Sequence, residues 1–377
     1  MQPWLSEERR MIAETAERYL RDRYPIEVRQ ANVAREAGYN PDQWAEMAEL
    51  GLLAALLPPE AGGLGGAGAD IALVFEALGR RGVVEPFLAT GILGATPLWR
   101  QSDGATGADL GALIEGRRTL AFAHGEPEGR YTPSYVATKA ERERDIWRLT
   151  GRKAVVLNGD SADRLVVSAR IDGPVDAEAG LGLFLLDPDA AGVTRRGYGT
   201  VEGGRAAEIT LAGARATPLG QPGKAFPVIE ETLARAALAL SAEALGLAEA
   251  AKEMTLDYLK ARRQFGREIG AFQALQHRMV EIVLEIEQLR SAVMLAAARL
   301  EADRRTRERL VSAAKNLAGR VGQRVAEESI QLHGGIAMTW DYALPHLAKR
   351  LVMIDHLCGD ADHHLLRFRS LSATEHG

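Results

Sequence analysis

One cysteine, Cys358, stands among 377 residues, so no disulfide can close within the chain and the expected setting is reducing, the cytoplasm. No apolar run approaches the ~20 residues that a membrane-crossing helix needs. The start, MQPWLSEERRMIAETAERYL, has acids within its first ten residues and no apolar core of a signal peptide, so none is expected there. Neither sign of charge dominates: 46 basic residues against 51 acidic give a net charge of −5, which excludes the basic field that nucleic-acid binding uses. Internal repeats and low-complexity tracts are also missing. What remains is an ordinary globular composition, 46% hydrophobic and 26% charged, in a chain long enough for two or three domains.

Hydrophobic periodicity changes twice along the chain. Leu5 to Tyr24 is amphipathic and opens on a Ser6-Glu-Glu start signal; Trp44 to Leu56 and Asp70 to Arg81 also repeat apolar residues at helical spacing. From Thr119 the period shortens. Thr119 to His124, Ala154 to Asn158, Arg164 to Ala169, Gly182 to Leu186 and Ala207 to Leu211 read as short strands punctuated by Gly, Pro and Asp, as in a sandwich or barrel. The charged stretch Thr138 to Arg148 is expected to cover an edge or form a hairpin. From Phe226 the helical period returns, with runs longer than 25 residues that point to a bundle of antiparallel helices. The expected fold class is therefore α+β, with an N-terminal helical domain over 1–115, a middle β domain over 116–222 and a C-terminal four-helix bundle over 223–377.

Two motifs invite other chemistry. Gly63-Leu-Gly65-Gly-Ala-Gly68 satisfies G-x-G-x-x-G, with Glu85 twenty residues after Gly65, as in a dinucleotide-binding unit. The segment before it ends in Pro58-Pro59-Glu60 and reads as the tail of a helix, not a buried strand, which favours a plain glycine-rich loop. His356-Leu-Cys358-Gly-Asp360-Ala-Asp362-His363-His364 concentrates metal-ligating types, but no C-x-x-C or H-E-x-x-H accompanies it, so no metal is expected. A nucleophilic Cys358 with a histidine base is the other chemistry open to this segment; the bland alternative is a packed thiol.

Three C-terminal segments together resemble the acyl-CoA dehydrogenase family. They are Arg262-Arg-Gln-Phe265-Gly266-Arg-Glu-Ile269-Gly-Ala-Phe-Gln273, which matches R-x-x-F-G…Q; Gln331-Leu-His333-Gly334-Gly335-Ile336, which matches Q-x-x-G-G; and Gly359-Asp-Ala-Asp-His-His, at the spacing of a glutamate-glycine-threonine loop. The narrower likeness, carried by Lys153-Ala-Val-Val-Leu-Asn-Gly-Asp and Cys358-Gly-Asp-Ala-Asp-His-His-Leu, is to the small subunit of pimeloyl-CoA dehydrogenase. The resemblance implies FAD as cofactor, an acyl-CoA substrate, an electron-transfer flavoprotein-like acceptor and a homo- or hetero-oligomer. It assigns cofactor contacts to Arg262, Phe265, Gln273, Gln331, Leu332, Gly334, Gly335, His124 and Asp362. A guanidinium suits a pyrophosphate because it donates paired, charge-assisted hydrogen bonds. Paired glycines let backbone amides approach with no Cβ in the way.

The same resemblance exposes departures. Where the family has a tryptophan and a threonine over the flavin, this chain has Val155 and Leu157, and Leu157 has no hydroxyl to donate. The family base, a glutamate that removes the substrate α-proton, maps to Cys358, and its alternative position maps to Ala236. Asp360, two residues beyond Cys358, is the nearest relocated base; His124, Glu126 and the Glu230–Glu231 pair are further candidates. Three functions follow from this: an FAD-dependent acyl-CoA dehydrogenase, a non-catalytic partner subunit that completes FAD sites of a second subunit, or a flavin monooxygenase that needs no α-proton base.

Overall fold

The computed structural model describes residues 6–101 and 107–373. Two compact units form: one from the described parts of Met1–Ala31, Ala67–Val83 and Ala237–Gly377, the other from Asn32–Gly66 and Val84–Ala236.

The helices before the sheet are α1 (Glu7–Arg23), α2 (Ile26–Val33), α3 (Pro41–Glu49), α4 (Gly68–Arg81), α5 (Ala95–Arg100) and α6 (Gly107–Ile114), with a π-helical turn over Phe87–Gly94. The start signal at Ser6 works as expected, since its side chain accepts Arg9 N–H at 3.3 Å and Glu7 and Glu8 fill the first turn. Arg9 then pairs with Asp70 at 2.6 Å, which ties α1 to α4. The single helix expected over 44–56 is a correction: α3 ends at Glu49, Gly51 turns the chain at φ +80°, and a separate 3₁₀ turn covers Ala54–Leu56.

The strands are β1 (Leu120–Ala123), β2 (Lys139–Glu143), β3 (Ile146–Leu157), β4 (Arg164–Arg170), β5 (Leu181–Leu186), β6 (Val193–Gly199) and β7 (Arg205–Leu219). Their order is β1-β4-β2-β3-β7-β5, and because β5 also pairs with β4 the sheet closes on itself as a barrel, with β6 added on β7. Alternation fills its inside: Leu165, Val167 and Ala169 of β4 meet Leu149, Phe184, Ile209 and Leu211 in one buried cluster. The charged 138–148 stretch is the β2–β3 hairpin, with Lys139 opposite Thr150. Ala154 to Asn158, expected as a strand of its own, is instead the end of the long β3 and the turn after it. Strand β6 escaped the sequence because Thr194, Arg195, Arg196 and Gly197 offer no apolar alternation.

The long helices follow: α7 (Phe226–Ala261), a two-residue hairpin of β8 (Arg263–Gln264) and β9 (Arg267–Glu268), α8 (Gln273–Ala298), α9 (Arg304–His333), α10 (Leu344–Asp355) and α11 (Ala361–Ala373). Helix α9 is the hub of the first unit and packs against α8, α10 and α11. Its buried residues, among them Val311, Ala314, Ala318, Val321, Val325 and Leu332, recur in steps of three and four. Charged pairs brace the bundle: Arg350 grips Glu243 at 2.6 Å, and Arg290 reaches Glu249 at 2.7 Å and Glu76 at 3.2 Å. Among the described residues no helix is long and apolar enough to cross a membrane.

Candidate functional site

The candidate site residues fall into three groups, two in the first unit and one in the second. The first begins where α7 ends. Arg262 N–H still donates to Tyr258 O at 2.8 Å, and the chain then reverses through a two-residue hairpin whose tip is Phe265-Gly266. Both tip residues have positive φ, +52° and +80°, as a type I′ turn requires; glycine suits the second place, whereas Phe265 is driven 90% into solvent. Phe272 supports the tip, edge-on to Phe265 at 6.1 Å and under the Arg267 guanidinium at 4.0 Å. Gln273 opens α8, exposed, on a helix start that no side chain caps. The Arg262 side chain has no partner among the described residues.

Helix α9 ends beside this hairpin. His333 is buried and stacks on Tyr258 at 4.6 Å between centroids, so the turn that carries Arg262 and the turn that carries Gly334 and Gly335 are joined by one aromatic contact. Gln331, Gly334 and Gly335 are exposed, Leu332 is buried, and Gly334 leaves the helix at φ +68°. The structure thus brings together Arg262 and the Gln331–Gly335 segment. His333 is the member of this group that no sequence assignment included; its place in the last turn of α9, in step with buried Leu332, was the available signal.

The second group is the loop from Asp355 to Asp360. Lys315, fully buried on α9, donates from Nζ to Gly359 O at 2.7 Å and to Asp355 O at 3.2 Å. His364 Nε2 donates to Cys358 O at 2.9 Å, and Asp355 Oδ1 accepts Ala361 N–H at 2.9 Å. A side chain on Gly359 would run into His364 at 2.6 Å, so only glycine lets the loop lie this close to α11. Cys358 sits at φ +56°, and burial pushes its thiol up to about 11, against the pull of the Lys315 ammonium. Such a thiol is protonated near neutral pH and is a poor nucleophile. Burial lowers Lys315 to about 8, with Cys358, Asp355 and Asp360 opposing. Asp360 Oδ1 accepts His363 N–H at 2.8 Å, which makes its carboxylate the N-terminal cap of α11; Asp362 is exposed in the first turn of that helix.

The third group lies in the second unit. The parallel register of β1 and β4, Ala123 opposite Val167, puts the next residues, His124 and Ser168, side by side. Their Nδ1 and Oγ are 2.9 Å apart. Lys153, also fully buried, donates to Glu126 Oε1 at 2.8 Å, to Ser168 Oγ at 3.1 Å and to His124 O at 3.2 Å. Glu126 further accepts Ala137 N–H, Thr138 N–H and the Thr138 hydroxyl, and though burial opposes it, Lys153 and these donors hold it below the usual carboxylate range. Immediately after Lys153 the β3–β7 register slips by one residue, and the bulged Val155 takes φ +51° and points 53% exposed. A β-branched residue in that region is strained, and such strain gathers at functional sites. Ala236 is fully buried on α7. Lys153 and Ser168 were missed by sequence reasoning; a lysine in the inward phase of a strand that ends in Val-Val-Leu was the clue.

The glycine-rich motif resolves into packing. Leu64, Gly65 and Gly66 N–H groups donate to Ala54 O, Leu57 O and Ala55 O at 2.8–3.0 Å, so the glycine-rich loop has spent its amides on the chain itself, and the segment before it is a 3₁₀ turn over Pro59–Ala61. Among the described residues no group of three or more His, Cys, Asp or Glu is arranged to hold a metal ion.

Comparison with known proteins agrees with this architecture along the whole chain. Residues 6–103, 121–212 and 223–365 match the N-terminal, middle and C-terminal domains of acyl-CoA dehydrogenase. Acyl-CoA dehydrogenase IpdE2 of Mycobacterium tuberculosis is 32% identical over 91% of this chain and 91% of its own length. The solved Tcur3481–Tcur3483 steroid ACAD superposes with a TM-score of 0.88 at 31% identity, covering 98% of both chains. Butyryl-CoA dehydrogenase from Megasphaera elsdenii gives a TM-score of 0.88 at 25% identity, covering 98% of this chain and 99% of its own. The chain belongs to the acyl-CoA dehydrogenase family, whose members bind FAD and oxidise acyl-CoA thioesters.

Proposed function

We propose that this chain is one subunit of a hetero-oligomeric FAD-dependent acyl-CoA dehydrogenase, in which a second chain of the same family supplies the base. The observation that carries this reading is the state of the Asp355–Asp360 loop. At the position that corresponds to the family glutamate stands Cys358, a thiol held protonated, and the nearby Asp360 carboxylate is engaged as the cap of α11. Ala236, at the alternative position, is a buried methyl group. No proton acceptor is therefore offered at either place.

The donor set of the first group suits FAD. An unengaged Arg262 guanidinium and the uncapped positive end of α8 beside Gln273 are what a pyrophosphate requires, and the exposed Gly334–Gly335 turn lets it approach with no Cβ in the way, although the Gly334 N–H itself is donated to Ile330 O. Bound there, FAD would accept the β-hydride of the acyl thioester. Arg262 and Gln273 would orient it, with Phe265 packed on its adenine side. Exposed Val280, Leu284 and Leu295 on α8, with Leu365 and Leu366 on α11, support burial against another subunit. The likeness to the Tcur3481–Tcur3483 steroid ACAD supports the heteromer and a bulky acyl-CoA as substrate, and the resemblance of the sequence at Lys153 to Asp160 and Cys358 to Leu365 to the pimeloyl-CoA dehydrogenase small subunit adds a dicarboxylic acyl-CoA to the candidates. An electron-transfer flavoprotein-like acceptor completes the cycle.

Anaerobic flavin titration tests this. The purified chain, alone and mixed with a family member that carries the glutamate, is exposed to linear, dicarboxylic and ring-bearing acyl-CoAs. Bleaching by the mixture and not by the chain alone is expected. Bleaching of the chain alone would overturn the proposal, and oxygen consumption with an external flavin reductase would favour a monooxygenase instead.

A further inference from the structure

The hydrogen bonds around His124 determine which of its ring nitrogens carries the proton. Lys153 can only donate, so Ser168 Oγ, 3.1 Å from its Nζ, accepts. The Ser168 proton is then free to reach His124 Nδ1 at 2.9 Å, which leaves Nδ1 as acceptor and places the ring hydrogen on Nε2. The opposite tautomer would aim two donors at one hydroxyl oxygen and leave the Ser168 proton with no acceptor among the described residues. Phe122 lies parallel to the imidazole, 4° off and 5.3 Å away, and fixes its plane. Burial and the Lys153 ammonium push the ring down to about 3, so it is neutral near pH 7.

Nε2 itself meets no acceptor among the described residues, yet it is absent from the sealed, unsatisfied polar atoms of the molecule, and His124 keeps 8% of its surface accessible. A neutral donor with one open direction, built from three buried side chains, is prepared for a ligand acceptor. Leu157, at the end of the neighbouring β3, has no hydrogen to offer.

We propose that His124 donates from Nε2 to a carbonyl or ring nitrogen of the flavin, and that Ser168 and Lys153 are positioning residues that lock this tautomer. The inference rests on the FAD reading above and adds a specificity: the site takes a hydrogen-bond acceptor and rejects a donor, because Nε2 cannot change role while Ser168 holds Nδ1.

Histidine-selective ¹⁵N labelling of the full chain, with His124→Gln to assign its signals, reads the tautomer directly in long-range ¹H–¹⁵N spectra. The Nε2–H form is expected, with a shift of the Nε2 resonance on loading FAD. Ser168→Ala should yield mixed tautomers and bind FAD about five- to tenfold more weakly, and Ser168→Thr, which keeps the hydroxyl, should restore both. An Nδ1–H ring, or an Nε2 resonance indifferent to bound FAD, overturns the inference while the proposed function stands. Failure of the chain to take up FAD, alone or with its partner subunit, overturns both.

Discussion

Replacing Cys358 with glutamate separates a missing base from a broken site. The backbone there does not depend on the thiol: Lys315 holds Gly359 O, His364 holds Cys358 O, and Asp355 caps Ala361. A glutamate would therefore inherit the same φ of +56° and the same surroundings. Those surroundings raise the thiol from 9.0 to about 11. The same burial would raise a carboxylate above its ordinary range, toward neutrality, where a base that must take a proton near neutral pH is most effective. Positioned general bases contribute about 10²–10⁴-fold in rate. Cys358→Glu should accordingly bleach its bound flavin with a suitable acyl-CoA about 10²–10⁴ times faster than the unaltered chain, measured by anaerobic stopped-flow absorbance. Cys358→Gln, of the same shape but not basic, should gain nothing. If Cys358→Glu binds FAD and acyl-CoA yet stays as inert as Cys358→Gln, the assignment of position 358 as the vacant base is wrong.

Other consequences are as direct. Lys153→Met strands the buried Glu126 carboxylate and should cost about 3–5 kcal/mol, whereas pairing it with Glu126→Gln should recover about 2 kcal/mol of that loss. Additive losses in a denaturation double-mutant cycle would show that the two do not act as a pair. Arg262→Lys keeps the charge but loses the forked donors, so FAD affinity, followed by flavin fluorescence, should fall about tenfold, and about a hundredfold for Arg262→Ala. An unchanged affinity in Arg262→Ala would remove this residue from the cofactor site. His124 and His364 are each held near 3 from an ordinary 6.5, first by burial and then by a lysine, Lys153 and Lys315 respectively. As pH falls below 6.5 the unfolded chain gains protons at these rings that the folded chain refuses, so stability drops by up to about 1.4 kcal/mol per pH unit for each. His364→Gln should flatten that acid limb in thermal melts, and a slope as steep as before would count against a neutral His364.

Much of this protein could be read from the chain because the deciding forces are local. The α–β–α order follows from hydrophobic period, and the Ser6 start of α1 from one capping side chain. The Phe265-Gly266 hairpin tip is legible too, since glycine meets one of its two positive-φ demands. Even the cap of α11 was available in Asp360-Ala-Asp-His, although the same residues also resembled a relocated base.

The rest depended on partners far away in sequence. Closure of the sheet through β4 and β5 cannot be inferred from either strand, because register is a property of pairs. The helix expected over 44–56 stopped early because Gly51 could take a left-handed turn there, which periodicity does not detect. His124, Lys153 and Ser168 lie 15 to 44 positions apart, and only the β1–β4 register and the bulge after Lys153 turn them toward one another. By itself the sequence determined the kind of fold, through composition, period and short motifs, and it singled out the Arg262 and Gln331–Gly335 segments that we propose meet a cofactor phosphate. The protonation of Cys358 and the direction of the His124 proton were decided by tertiary structure alone, because desolvation and hydrogen-bond direction exist only once distant side chains are buried together.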